Sequence, residues 1–225
     1  MYLTLLQVTD SLATTAQPEK LSILSLLMKG GLFMIPLLLL SILAIYVLIE
    51  RYIVIRQAAK MDDGFLNPVK DYMLGGNING AMTVCKQEDT PISRMIHKGL
   101  KSIGKPIRDI EASIENVGKL ELLQLEKRLS LLALISGVAP MVGFLGTVTG
   151  MIRAFYNLSN AGSNIDPGLL AGGIYEAMLT TAAGLSVGII AYIAYNLLVT
   201  MVEKVIYKME ATSVAFLDVL QEPSH

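Results

Sequence analysis

The sequence predicts an all-α integral membrane protein with three transmembrane helices, the N-terminus outside, and the second and third helices extended into the cytoplasm. Three observations carry that prediction. Of the 225 residues, 53% are hydrophobic and only 16% charged, whereas soluble domains run at about 45–50% apolar and about 25% charged. Three stretches are long and apolar enough to cross a hydrocarbon core of ~30 Å. Elsewhere the apolar residues recur at three-to-four spacing, and nothing alternates as a strand would.

In chain order, MYLTLLQVTDSLATTAQ has no basic n-region, and its apolar run is broken by Gln7, Thr9 and Asp10, which argues against a cleaved signal peptide. Leu21, Leu24 and Met28 then fall at helical spacing, the pattern of a short helix lying on a membrane surface. From Leu32 to Ile49 no residue is charged, which makes the first span. Pro36 stands early in it, where a missing N–H costs least, and Glu50-Arg51 marks its end.

The hydrophilic stretch from Met61 to Gly118 reads as short helices joined by turns. Asn67-Pro68 and Thr90-Pro91 each place a capping side chain before a proline at the first helical position, and Gly75-Gly76-Asn77 separates two segments. After Pro106, Ile107, Ile110, Ile114, Val117, Leu120 and Leu123 keep helical spacing and run on into Leu129, Leu132 and the second span. One unbroken helix is therefore expected from Pro106 to Phe155, about 75 Å long at ~1.5 Å per residue. A turn-rich loop without lysine or arginine follows, and Asp166-Pro167 is a good cap and first-turn proline for the third helix. That helix continues past Leu198 into the amphipathic MVEKVIYKME and stops near the tail QEPSH.

Of the 18 lysines and arginines, 13 lie between Arg51 and Arg128, two follow the third span, and Lys20, Lys29 and Arg153 stand elsewhere. The positive-inside rule then puts the central region and the C-terminus in the cytoplasm. A lone Cys85 excludes an intramolecular disulfide framework and, with His97 and His225 as the two histidines, cannot build a zinc site.

The last two spans carry polarity that a plain lipid anchor lacks. On the second, Ala139, Gly143 and Thr147 lie at intervals of four, Gly150 and Ala154 continue the face, and Gly146 with Gly150 forms a GxxxG. On the third, Thr180, Gly184 and Gly188 repeat the pattern beside Ala177 and Thr181. Small residues let helix backbones approach closely in lipid, so these faces are packing seams, and their hydroxyls can bond back to their own i−4 carbonyls. The seams are expected to recruit neighbouring copies, because lipid alone does not satisfy them. Thr147 and Thr181 also fall at comparable depth on antiparallel helices and can face each other or a shared lumen. Glu176 lies about 1.4 turns on the outer side of Thr181, where a carboxylate is costly unless paired, protonated or wetted. Arg153 is its nearest partner by depth, which leaves a structural pair and a role in proton passage both open. One three-helix chain is too small to enclose a pore, so oligomerisation into a ring is implied.

The runs EASIENVGKLELLQLEKRLSLLALISGVAPMVGFLGTVTGMIRAF, from Glu111, and GIYEAMLTTAAGLSVGIIAYIAYNLL resemble the MotA/TolQ/ExbB proton-channel family, most nearly its ExbB branch and next its TolQ branch. The likeness extends from Leu32 to Leu198, and three spans set the chain apart from the four-span MotA type. The resemblance implies a homopentameric ring in the bacterial inner membrane, surrounded by membrane lipids. A single-span ExbD/TolR-like protein would sit in its lumen and a TonB-like or TolA-like protein would pass work outward. Carried over by motif, Thr147, Thr181 and Glu176 become the proton pathway facing an aspartate of the lumenal helix. No cofactor, metal or nucleic acid is implied. The expected divisions are a periplasmic N-terminal segment (1–31), a first span (32–55), a cytoplasmic helical domain (56–118), a cytoplasmic extension with the second span (119–156), a periplasmic loop (157–167), a third span (168–200) and a cytoplasmic C-terminal helix and tail (201–225). An ExbB-like motor subunit is the leading reading, against a TolQ-like subunit and a non-conducting scaffold. An enzyme is disfavoured, since no P-loop and no grouping of nucleophile, base and orienting residue occur.

Overall fold

A computed structural model of the chain describes residues 30–60, 64–160 and 167–221. Every regular element among them is helical, and three of the helices are long and apolar enough to cross a membrane. The expected surface helix at Leu21 to Met28 and the cap Asp166 lie outside the described residues.

Helix α1 (Met34–Ala58) buries a stripe of Leu37, Ala44, Val47, Arg51 and Ile55 against the two other long helices. Its other face leaves Leu39, Ile42, Ile45 and Ile49 exposed, as a lipid-facing surface does. Two short helices follow, α2 (Leu66–Leu74) and α3 (Ile78–Glu88). Asn77, at the expected separation between two segments, caps α3, its Oδ1 accepting from the Gly80 N–H at 2.9 Å. Asn67 does not cap α2: the helix starts one residue earlier, at Leu66, and no side chain caps it. A proline at the second or third helical position is as well tolerated as at the first, because those N–H groups have no partner inside the helix either.

Helix α4 (Pro91–Lys101) has the strongest start in the chain. Thr90 Oγ1 accepts from the Ser93 N–H, and Ser93 Oγ accepts from the Thr90 N–H at 2.8 Å. Two orphan donors are thereby satisfied reciprocally. Ile92, Ile96 and Leu100 then point into a core completed by Ile114 and Phe216.

The single helix expected from Pro106 to Phe155 is two helices, α5 (Ile107–Glu126) and α6 (Leu129–Asn160). Lys127 takes an extended ψ of 131° and Arg128 a left-handed φ of 66°. The break has identifiable support. Ending α5 frees carbonyls in its last turn, and one of them, Gln124 O, accepts from Arg51 Nη1 at 3.2 Å, with a cation sitting where the helix dipole favours it. Arg128 Nη1 bonds the Glu50 carboxylate, which also accepts from Arg51 at 2.8 Å. The C-terminal part of α1 is therefore tied to both sides of the break. Because Leu125 and Leu129 remain four residues apart and both are buried, the apolar pattern passes through the interruption unchanged.

Helix α7 (Pro167–Gln221) spans 55 residues, about 80 Å. It packs along α6 through the membrane and then against α4 and α5 beyond it. Its last turns deliver Phe216 over Gly99, where a Cβ would come within 2.7 Å of the ring.

Candidate functional site

The site is assembled along the contact between α6 and α7, and glycine is the reason those helices lie so close. A Cβ at Gly184 would come within 2.6 Å of Ala139 O and 2.9 Å of Gly143 Cα; one at Gly143 would come within 2.9 Å of Thr180 O. Further along, Gly188 lies against Pro140 and Ser136 O, Gly146 against the Thr180 side chain, Gly150 against Ala177, and Gly173 against Ala154. The expected packing role of Gly143, Gly146, Gly150, Gly184 and Gly188 thus has its partners within one chain. Within this chain the two seams cover each other, because antiparallel helices bring their complementary strips of small residues together.

Pro140 stands inside α6. It cannot donate to Ser136 O, four residues back, and the backbone of α7 at Gly188 occupies the adjoining space. Gly173 extends the four-residue spacing of Ala177 and Thr181 by one step, whereas the proline contact carries no such mark.

With the helices this close, Thr147 and Thr181 meet. Their Oγ1 atoms are hydrogen-bonded to one another. Thr147 Oγ1 also lies 3.3 Å from both Gly143 O and Ala177 O, and Thr181 Oγ1 lies 3.1 Å from Gly143 O. A hydroxyl carries one proton to donate and two lone pairs to accept with. The pair therefore has more acceptors within reach than protons and can exchange donor and acceptor by rotation of the hydroxyls about their Cβ–Oγ1 bonds. By contrast, Thr149, Thr180 and Ser186 bond only to carbonyls of their own helix, Leu145 O, Ala177 O and Ala182 O, at 2.8–2.9 Å. Thr181 also borders an open apolar groove of about 650 Å³ lined by Pro140, Met141, Phe144, Leu145, Val148 and Leu185.

Glu176 is not part of the hydroxyl cluster. It lies five residues away, about 7.5 Å along the helix axis. Its Oε1 stands 3.9 Å from Arg153 Nη1, with the glutamate side chain 32% exposed and the arginine 61%. That separation is at the outer limit of an ion pair, and such a pair is worth about 0–1 kcal/mol. The carboxylate also touches Gly31, at the entry to α1, a contact between residues 145 positions apart that no local pattern announces.

A second cavity, about 670 Å³, opens beside the C-terminal part of α1 between Arg51, Arg94, Glu121 and Lys127. Arg94 holds Glu121 through two bonds of 2.7 Å and Asp89 through two of 2.8 Å, to Oδ1 and to the main-chain carbonyl. Those bonds, Glu121 first, push the guanidinium pKa above its ordinary value. Its charges are matched from within, as a structural brace requires.

Residues 87–211 match the sequence profile of the MotA/TolQ/ExbB proton channel family. A Synechocystis protein named putative biopolymer transport protein ExbB-like 1 is 33% identical over 176 residues, 77% of this chain and 69% of its own length. The putative biopolymer transport protein ExbB homolog of Methanothermobacter thermautotrophicus is 28% identical over 84% of this chain and 67% of its own. The biopolymer transport protein ExbB of Neisseria meningitidis is 30% identical over 75% of this chain and 80% of its own.

Proposed function

The chain belongs to the MotA/TolQ/ExbB proton channel family, a family of transport-complex components, and on that premise we propose that it is the ExbB-like subunit of an inner-membrane motor driven by proton-motive force. Thr147, Thr181 and Glu176 are its contribution to the proton path. The observation that carries this reading is the hydroxyl pair: Thr147 and Thr181 come from antiparallel helices and bond to each other, and Thr181 borders an apolar groove of the kind a partner helix can occupy. The partner is an ExbD/TolR-like single-span protein whose carboxylate supplies the titratable group that the pair lacks. A homopentameric ring encloses it, with the N-terminus in the periplasm and the residues around α2 to α5 in the cytoplasm. A TonB-like protein takes up the work for outer-membrane transport; a TolA-like protein would do so for envelope integrity. Each proton falling through 100 mV supplies about 2.3 kcal/mol.

One observation favours a scaffold instead. Thr147 also reaches Gly143 O on its own helix, the ordinary bond of a membrane threonine. Thr147→Val and Thr181→Val decide between the two. Each keeps shape and packing while deleting the hydroxyl, at a stability cost of about 0.6 kcal/mol per interhelical bond. In the motor, rings assemble and proton-driven uptake fails in both variants. Wild-type uptake in assembled complexes of both would retire the proton-path assignment and leave the scaffold.

A further inference from the structure

Gly31 has a φ of +67°, a left-handed conformation that glycine adopts without steric cost. An L-side chain placed there would overlap Glu176 Oε1, would lie 2.8 Å from Cδ, and would reach Cγ only at 3.5 Å. The contact thus tightens toward the end of the glutamate, so the carboxylate itself rests on the glycine. The turn holding Gly31 is part of the start of α1, since the Met34 N–H donates to Gly31 O at 3.2 Å. Phe33, at the N-cap, supplies no side-chain cap. The carboxylate of Glu176, from another helix, thus lies beside the turn that leads into the positive end of α1. On its other side Glu176 has Arg153, at a distance that constrains it little.

We propose that Gly31 is a positioning residue for Glu176: the absent side chain is the space in which the carboxylate sits, and the entry to α1 thereby holds that carboxylate beside Arg153. The proposal rests on the reading of Glu176 as part of the proton path for its functional consequence, though not for the seat itself. It ties the place of the carboxylate to the place of α1. Since the overlapping atom is the free end of a flexible side chain, Gly31→Ala is accommodated by Glu176 swinging away, and the ring still assembles.

The test uses the full chain with its lumenal partner in proteoliposomes. Two quantities are read: proton-driven coupling against pH, and the infrared carboxyl band assigned to Glu176 by its loss in Glu176→Gln. Gly76→Ala is the control for backbone strain, because Gly76 has nearly the same φ, +69°, with nothing within 4 Å of an added Cβ. Gly31→Ala is expected to move the Glu176 band and the pH midpoint, and to lower coupling about tenfold to a hundredfold, the cost of an ångström-scale misplacement. Gly76→Ala moves none of them. Glu176→Asp withdraws the carboxylate by one methylene, so in that background Gly31→Ala no longer shifts the carboxyl band. A Glu176 band unmoved by Gly31→Ala overturns the proposal, whatever happens to coupling. A moved band with wild-type coupling upholds the seat and overturns the proton-path role of Glu176 instead.

Discussion

The membrane pair α6/α7 and the bundle of α4, α5 and the end of α7 are both closely packed, but by opposite means. In the bundle, Ile92, Ile96, Leu100, Ile114 and Phe216 fill the interior with large side chains, and water drives their burial at about 25 cal/mol per Å². In the membrane that drive is absent, since lipid tails are as apolar as leucine. The helices there hold together by bringing backbones within contact distance over Gly143, Gly184 and Gly188, where dispersion and interhelical hydrogen bonds act. The bundle is therefore sensitive to what is removed and the seam to what is added. Close approach also gives the seam its chemistry, because Gly143 O is within reach of hydroxyls from both helices.

Truncation should test the bundle most severely. Phe216 is 1% exposed, and Phe216→Ala should cost about 3–5 kcal/mol, read as a loss of protection from hydrogen exchange in α4 and α5. A cost below 1 kcal/mol would mean that the bundle is not held by its core. For the seam the informative change is one methyl. Gly184→Ala meets backbone on both Ala139 and Gly143 and should destabilise the complex by about 1–3 kcal/mol. Gly137→Ala, on the same helical pair with nothing within 4 Å of the added Cβ, should be neutral or mildly stabilising. Equal effects at the two positions would break the contrast.

The ion pairs repeat the comparison at smaller scale. Arg94 grips a Glu121 side chain that is 10% exposed, whereas Arg153 stands 3.9 Å from Glu176. Arg94→Met leaves a buried carboxylate and should cost about 2 kcal/mol, reduced from the fully buried case because Arg94 itself is 40% exposed. Arg153→Met should change thermal stability by less than about 0.5 kcal/mol. Reversal of that order in melting experiments would make Arg153–Glu176 the structural pair. The smallest effect concerns Cys85, on α3 outside the three spans, whose thiol burial pushes up to about 11. At pH 8 its alkylation should run on the order of a hundredfold slower in the folded protein than in denaturant, following thiolate fraction. Equal rates would show α3 opening freely.

The sequence by itself determined the three spans, the helical character of every described segment, the break before α3 at Gly75-Gly76-Asn77, the cap at Thr90, and the polar residues worth attention. Those properties follow from local chemistry: run length against bilayer thickness, three-to-four periodicity, and side chains that bond the nearest free N–H. It also brought Thr147 and Thr181 to matching depth, since antiparallel helices of known rise fix depth by counting residues. Tertiary structure alone decided the rest. The break at Lys127–Arg128 was invisible because Leu125 and Leu129 keep helical spacing across it; what stabilises it is Arg51 and Glu50, more than 70 residues away. The small-residue strips announced close packing but not its partner, because a strip is equally complementary to a neighbouring copy and to the next helix of the same chain. The seat of Glu176 on Gly31 depended on α1 starting beside the outer part of α7, a placement set by how three helices pack together and by no residue pattern within any one of them.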